Sequence, residues 1–134
     1  MANPISEAIK IGTVGELLVQ LRLLQYGVQA AQPLKDSGND LIALKGFAIR
    51  CVQVKSSTND VPAWPHRDRL YHLLAVVRLV ADGHDLFLDQ STVYLLSREE
   101  VHCAARSWRG LEGFTLSERR IEALFRESEH AAHG

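Results

Sequence analysis

The stretch Asp40–Lys55, which reads DLIALKGFAIRCVQVK, decides how this chain folds. It contains two apolar runs separated by Lys45-Gly46, a pattern that predicts two strands joined by a tight turn. Asp40 stands at the entrance of the first strand, and Gln53 and Lys55 close the second. Because side chains alternate along a strand, Gln53 and Lys55 should lie on the same face. One short segment therefore offers an acid, an amide and an amine.

A helix is predicted upstream of this segment. Apolar residues recur at helical spacing between residues 5 and 26, and Gly27 follows where a helix C-terminal cap is expected. Gly12 and Gly15 each disfavour a helix interior by about 1 kcal/mol relative to alanine. We therefore expect either a helix start near Thr13 or a close approach between this helix and another backbone.

The rest of the chain predicts more strands and two short helices. The segments are a short strand at 28–33, a turn at 36–39, a surface loop at 56–69, and strands at 73–80, 86–88 and 93–96 that continue the sheet as a meander. Ser97 and Ser117 are placed as the N-caps of the two helices.

Length and composition indicate one globular domain. The chain has 134 residues, 46% of them hydrophobic and 23% charged, as is ordinary for a folded domain. We assign residues 1–128 to that domain and 129–134 to a flexible tail. The net charge of -1 argues against a wholly basic surface but leaves a local cationic cleft possible.

Neither a disulfide scaffold nor a membrane segment is predicted. Cys51 and Cys103 are too few for a disulfide framework, and no histidine or cysteine spacing matches a zinc site. The longest apolar stretch, at 73–80, is far shorter than the roughly 20 residues that span a bilayer. The first residues show neither a cationic n-region nor an apolar h-region, so we expect no secretory signal and a cytoplasmic protein that does not contact membranes.

The polar groups of the hairpin suit metal-dependent phosphodiester hydrolysis. That reaction needs an activated water and cations near the phosphoryl oxygens, which a carboxylate-held Mg²⁺ with a nearby lysine can supply. Asp40 is the candidate central ligand, with the Gln53 amide oxygen and the Val54 backbone carbonyl as further ligands. Glu16 could hold the ion through water. Lys55 would orient the attacking water or neutralise developing charge.

Each of these residues also has an ordinary interpretation. Asp40 could be a turn residue, Lys55 a solvated lysine at a strand end, and Glu16 an exposed helix acid. Only their joint spacing favours a metal site.

The segment after the second strand offers groups that could contact nucleic acid. Ser56 and Ser57 are close enough to the strand end to reach a phosphate, although serine there is as often simple turn chemistry. Trp64, Arg67 and Arg69 combine a stacking surface with cationic groups. A solvated loop is the alternative.

Three pieces of the chain, in order, resemble the active-site segments of the PD-(D/E)xK nuclease superfamily. They are residues 12–16 (GTVGE), 33–43 (PLKDSGNDLIA) and 52–57 (VQVKSS). The resemblance implies a restriction-endonuclease-like α/β fold, with a mixed central sheet flanked by helices. The first helix would lie on one face and the later helices on the other.

The resemblance also implies roles for single residues. Asp40 takes the place of the family acid, Lys55 that of the catalytic lysine, and Glu16 that of the helix glutamate in resolvase-like members. Gln53 stands where an acid is usual, although Mrr-type restriction enzymes are similar in carrying Gln-x-Lys. The implied activity is Mg²⁺- or Mn²⁺-dependent endonucleolytic cleavage of DNA by a homodimer. The alternatives are an inactive nuclease-fold domain that binds nucleic acid or protein, and a subunit that acts only with a partner chain.

Overall fold

The computed structural model describes residues 4–34 and 40–127. In chain order the elements are α1 (Glu7–Gln25), β1 (Gln29–Ala31), β2 (Leu41–Lys45), β3 (Ala48–Ser57), β4 (Leu73–Asp82), β5 (Asp85–Ser97), α2 (Arg98–Cys103), a 3₁₀ helix (Glu112–Phe114) and α3 (Glu118–Leu124). The turn predicted at 36–39 and the tail predicted at 129–134 lie outside the described residues. Among the described segments, no helix combines the length and apolar character needed to cross a membrane.

Helix α1 has well-defined ends. Its N-cap is Ser6, whose hydroxyl accepts a hydrogen bond from a backbone N–H of the first turn. At the other end Gly27 adopts a φ of 79°, and the Val28 N–H donates to the Leu23 carbonyl oxygen, as in a Schellman motif. The predicted helix is confirmed. The alternative start near Thr13 is wrong, because the Ser6 cap begins the helix earlier.

The five strands form a single sheet in the order β1-β2-β3-β4-β5. Strands β3 and β4 are parallel, and the other three neighbouring pairs are antiparallel. The predicted mixed sheet is confirmed, but the predicted meander is wrong at one junction. The segment 58–72 carries the chain back along the sheet, so that β4 runs in the same direction as β3.

Two details of the strands also differ from the prediction. The turn between β2 and β3 consists of Gly46 and Phe47, because Lys45 and Ala48 are already paired. Gly46 supplies the positive φ, 60°, that the first residue of this turn requires. The strands predicted at 86–88 and 93–96 form one strand, β5, whose pairing with β4 shifts register at a bulge.

Each face of the sheet carries its own apolar cluster. One cluster joins Val52 and Val54 of β3 to buried residues of α1, to Ile121 of α3 and to Phe125, which follows α3 directly. The other contains Val101 of α2 and side chains of β4 and β5. The expectation that all later helices oppose α1 is therefore wrong for α3. The apolar residues of α3 pack into the same cluster as α1, whereas α2 covers the opposite face.

Candidate active site

Asp40 ties the start of β2 to the middle of β3. Its backbone N–H donates to the Val52 carbonyl oxygen at 3.1 Å. Its carboxylate atom Oδ2 accepts hydrogen bonds from the Val54 N–H at 2.7 Å and from Gln53 Nε2 at 2.9 Å. Strand β2 stops pairing with β3 at Leu41 and Val52, so β2 offers the Val54 N–H no backbone acceptor. The Asp40 side chain supplies the missing acceptor, and this fixes the carboxylate beside Gln53.

Gly15 brings α1 close to this strand end. A Cβ atom built on Gly15 would lie 1.7 Å from Ser56 Oγ and 2.8 Å from Ser56 Cβ. Only glycine therefore allows the helix to rest on β3 at this point. The predicted close approach is confirmed for Gly15, whereas a Cβ on Gly12 would meet nothing within 4 Å. The contact delivers Glu16, the next residue, toward the site.

Glu16 and Asp40 interact through their carboxylates. Burial raises the pKa of Glu16 above the ordinary glutamate value, a hydrogen bond from Gln32 opposes that shift, and the proximity of Asp40 raises the pKa further. The Gln32 hydrogen bond joins Nε2 to Glu16 Oε2 at 3.0 Å. A cation near the Glu16 and Asp40 carboxylates would offset their mutual repulsion. Gln32 was not predicted as a site residue, because the sequence around it contains no motif that indicates a role.

The alternation predicted for β3 is confirmed. Gln53 and Lys55 pair with Leu74 and Val76 of β4, which belong to the α2-side cluster, whereas Val54 belongs to the α1-side cluster. Gln53 is only 7% exposed, and Lys55 is partly exposed. The amide is therefore buried in the site, and the amine lies two residues further toward solvent on the same face.

The donor set fits a hard divalent cation. Gln53 Oε1 is buried and has no hydrogen-bond partner among the described residues. Because an amide can be turned to exchange its oxygen and nitrogen, Gln53 can present an oxygen where it now presents Nε2. The N–H and C=O of a strand residue point the same way, so the Val54 carbonyl also faces the Asp40 side of β3. Together with the two carboxylates, these are the oxygen ligands that Mg²⁺ and Mn²⁺ take.

The acid content of the site is nevertheless low. Within residues 4–34 and 40–127, no group of three or more histidine, cysteine, aspartate or glutamate side chains is placed to hold a metal ion. The candidate ligands are two carboxylates and two neutral oxygens. Any cation bound there would be less completely neutralised than in a site with three acids.

The two serines after Lys55 differ in placement. The Ser56 hydroxyl is buried against α1 and has no partner in the described part of the chain. It does not face solvent, where a phosphate would approach. Ser57 is partly exposed, and its hydroxyl accepts a hydrogen bond from the Asn59 N–H at 3.0 Å.

Arg98 organises the loop between β3 and β4. Its guanidinium donates to the backbone oxygens of Arg67 at 2.6 Å and of Tyr71 at 3.3 Å, and it stacks 4.6 Å from the Tyr71 ring centroid. The side chains of Arg67 and Arg69 are exposed, and Trp64 is partly buried against the α2-side cluster. Arg98 was not predicted as a site residue, because its position beside the Ser97 cap signals only a helix start.

These features define an α/β domain of the restriction-endonuclease-like fold, with an acid, an amide and a lysine on its β2–β3 hairpin. The solved structure of a bacterial homing endonuclease, I-Ssp6803I, matches it with a TM-score of 0.64. The match covers 96% of this chain and 99% of that chain at 17% sequence identity, so it shows a shared fold. The fold predicted from the resemblance is confirmed. No family model and no curated protein sequence matches the chain.

Proposed function

We propose that this chain is a Mg²⁺- or Mn²⁺-dependent endodeoxyribonuclease. The observation that carries the proposal is the meeting of Asp40, Glu16 and Gln53 at one point, where a buried amide oxygen lacks a partner among the described residues. The fold is shared with an endonuclease, which supports the same class of reaction. Asp40 would be the central metal ligand.

The remaining metal ligands would come from residues that contact or lie beside Asp40. Gln53 would contribute its amide oxygen, Val54 its backbone carbonyl, and Glu16 would hold the ion through water. A bound cation would neutralise charge on the phosphoryl oxygens and lower the pKa of a bound water. Lys55, on the same strand face as Gln53, would orient the attacking water or neutralise developing charge.

DNA is the proposed substrate. Arg67 and Arg69 are exposed on the loop that Arg98 holds, and Trp64 offers a partly exposed ring for stacking. Ser57 lies at the end of β3, two residues after Lys55. We leave Ser56 out of the proposed contacts because its hydroxyl is buried under α1. A homodimer would place two such sites on one duplex.

The test is cleavage of a panel of labelled four-way, flapped, linear and single-stranded DNAs with Mg²⁺ or Mn²⁺. Asp40→Ala and Lys55→Ala should each abolish cleavage. Matched controls are Asp85→Ala, an aspartate at the first position of β5, and Lys45→Ala, a lysine that is partly exposed like Lys55 and lies at the last position of β2. Both controls should cleave as the wild type does. Wild-type activity in Lys55→Ala would remove Lys55 from the mechanism.

A second candidate is an inactive nuclease-fold domain that binds nucleic acid or protein. The hydrogen bond from Gln53 Nε2 to Asp40 favours it, because that contact satisfies the carboxylate without a metal. Calorimetric titration with Mn²⁺ separates the two. The nuclease requires binding that Asp40→Ala abolishes and that Gln53→Glu tightens. Absence of Asp40-dependent binding would favour the inactive domain.

A further inference from the structure

Arg78 interrupts the buried run of strand β4. Residues 73–77 and Leu79 are buried, whereas Arg78 between them is exposed. Within residues 4–34 and 40–127, the contact of its guanidinium is with the ring of Trp108, and no acid forms an ion pair with it. Strand β4 lies inside the sheet, between β3 and β5. The strand therefore presents a positive charge that no described acid neutralises and that can attract an anion.

The pairing of β3 with β4 places Arg78 on the same face of the sheet as the candidate lysine. Lys55 pairs with Val76, and Ser57 pairs with Arg78. Residues two apart on a strand point to the same face, so the row formed by Lys55 and Ser57 continues into Arg78. A rise of about 3.3 Å per residue and a strand spacing of about 4.8 Å put the Cα atoms of Lys55 and Arg78 about 8 Å apart. Two long cationic side chains at this separation can contact neighbouring phosphates of one nucleic-acid strand.

The indole of Trp108 holds the Arg78 guanidinium in place. Arg78 Cζ lies 5.1 Å from the centroid of the Trp108 ring. The ring is itself fixed, because its Nε1 donates to the Asn59 carbonyl oxygen at 2.8 Å and it stacks on Tyr94 with centroids 5.8 Å apart. A guanidinium that rests on an aromatic face keeps the N–H donors along its edge available. Arg78 is therefore oriented in advance without using its hydrogen-bond donors.

The segment that carries Trp108 adds further positive charge. Arg106 and Arg109 stand on either side of the tryptophan and are exposed, and residues 101–111 contain no acid. Asp60, which follows the Asn59 contact, forms no ion pair with a described residue. Several separate cations beside Lys55 suit an extended polyanion better than one small anion, because the phosphates of a nucleic acid lie in a row.

We propose that Arg78, held on Trp108, binds a backbone phosphate of DNA next to the phosphate at which Lys55 would act. The inference rests on the DNA substrate of the proposed function and adds a contact to it. Arg78 would be a binding residue, and Trp108 a positioning residue that acts through Arg78. A phosphate contact carries no sequence information, so it should strengthen the binding of every DNA sequence to the same extent.

The test measures binding of a short labelled DNA duplex by fluorescence anisotropy, in chelator and over a range of salt concentration. Arg78→Gln should weaken binding by about tenfold at low salt. It should also make the slope of log K against log salt shallower by about 0.9, the value for one phosphate contact. Arg78→Lys should keep the slope, because lysine retains the charge without the planar fork. Arg119→Gln is the matched control, since Arg119 is exposed on α3, across the sheet, and its variant should keep the wild-type slope.

A double-mutant cycle tests the role of Trp108. Trp108→Leu removes the aromatic face and should weaken DNA binding in the wild-type background but not in the Arg78→Gln background. A purely structural role of Trp108 would weaken binding equally in both backgrounds, which would contradict the positioning role. Circular dichroism establishes that each variant is folded. The Arg78 variants test the phosphate contact by themselves, because they alter an exposed side chain.

Three results would overturn the assignment of Arg78. They are a wild type that binds no duplex, an Arg78→Gln variant with the wild-type salt slope, and an Arg119→Gln variant that loses as much slope as Arg78→Gln. DNA cleavage by a protein whose binding does not depend on Arg78 would refute this contact and retain the nuclease. Binding that depends on Arg78 in a protein that cleaves no DNA would retain the contact and refute the nuclease.

Discussion

Replacing Gly15 by alanine should push α1 away from β3 and displace Glu16. Ordinary van der Waals contact begins at 3.4 Å, whereas the new Cβ would lie 2.8 Å from Ser56 Cβ and 1.7 Å from Ser56 Oγ. The Ser56 hydroxyl can rotate away, but its Cβ cannot. The difference between 3.4 Å and 2.8 Å means that the helix must move by about 0.6 Å.

The expected loss of stability follows from two opposing terms. Overpacking of this kind costs about 1–3 kcal/mol, and alanine returns up to about 1 kcal/mol of helix propensity. We expect a net loss of about 1–2 kcal/mol, which for a chain of this size lowers the melting temperature by about 4 °C per kcal/mol. Since a 1 Å misplacement can cost a hundredfold in rate, the shift of Glu16 should reduce the proposed DNA cleavage by about tenfold.

Thermal unfolding followed by circular dichroism measures the effect on stability. Gly12→Ala is the matched control, because a Cβ there meets nothing within 4 Å and should stabilise the exposed helix by up to about 1 kcal/mol. Adding Ser56→Gly to Gly15→Ala removes both clashing atoms and should recover most of the lost stability. A Gly15→Ala protein as stable as Gly12→Ala would refute the close contact between α1 and β3.

Two further predictions concern charge. In the metal-free protein, Glu16→Gln should be more stable than wild type at neutral pH, because the raised pKa of Glu16 means that the folded state favours its protonated form. This difference in stability should vanish as the pH falls below 4.5, the ordinary glutamate pKa. Thermal unfolding of both proteins in the presence of chelator, over a range of pH, measures it. A difference in stability that does not change with pH would contradict the prediction. Arg98→Ala should cost about 2 kcal/mol through lost hydrogen bonds to the backbone at Arg67 and Tyr71 and should speed proteolysis within 58–72. Proteolysis at the wild-type rate would contradict that role.

The local parts of the site were predictable from the sequence. The segment itself predicts that Asp40 and Gln53 lie on neighbouring strands of one hairpin, but the register that brings them together depends on the turn being Gly46-Phe47 and not the predicted Lys45-Gly46. The helix ends at Gly27, Ser97 and Ser117 follow equally local rules, and all three are observed.

Features that depend on distant contacts were not predictable. Helix α1 has apolar residues on more than one face, and the buried face is the one on which Gly15 lets the helix approach Ser56. The parallel pairing of β3 with β4 depends on the path of a long loop. The side chosen by α3 depends on contacts such as the hydrogen bond from Arg50 Nε to the Leu124 carbonyl oxygen at 3.0 Å. None of these contacts produces a pattern in the sequence from which it could be predicted.

The glutamine at position 53 explains how the proposed metal site can stay assembled without its ion. Its Nε2 atom donates to Asp40 Oδ2 at 2.9 Å, where an acid would place a second carboxylate oxygen. Carboxylates at that separation cannot both remain ionised without a cation between them, and Glu16 already adds a negative charge nearby. Gln53 therefore forms a hydrogen bond with Asp40 where a second acid would repel it. In exchange, the proposed metal site has one negative charge fewer with which to bind a cation. The same exchange predicts that Gln53→Glu lowers the stability of the metal-free protein while it raises metal affinity, so the two measurements should move in opposite directions.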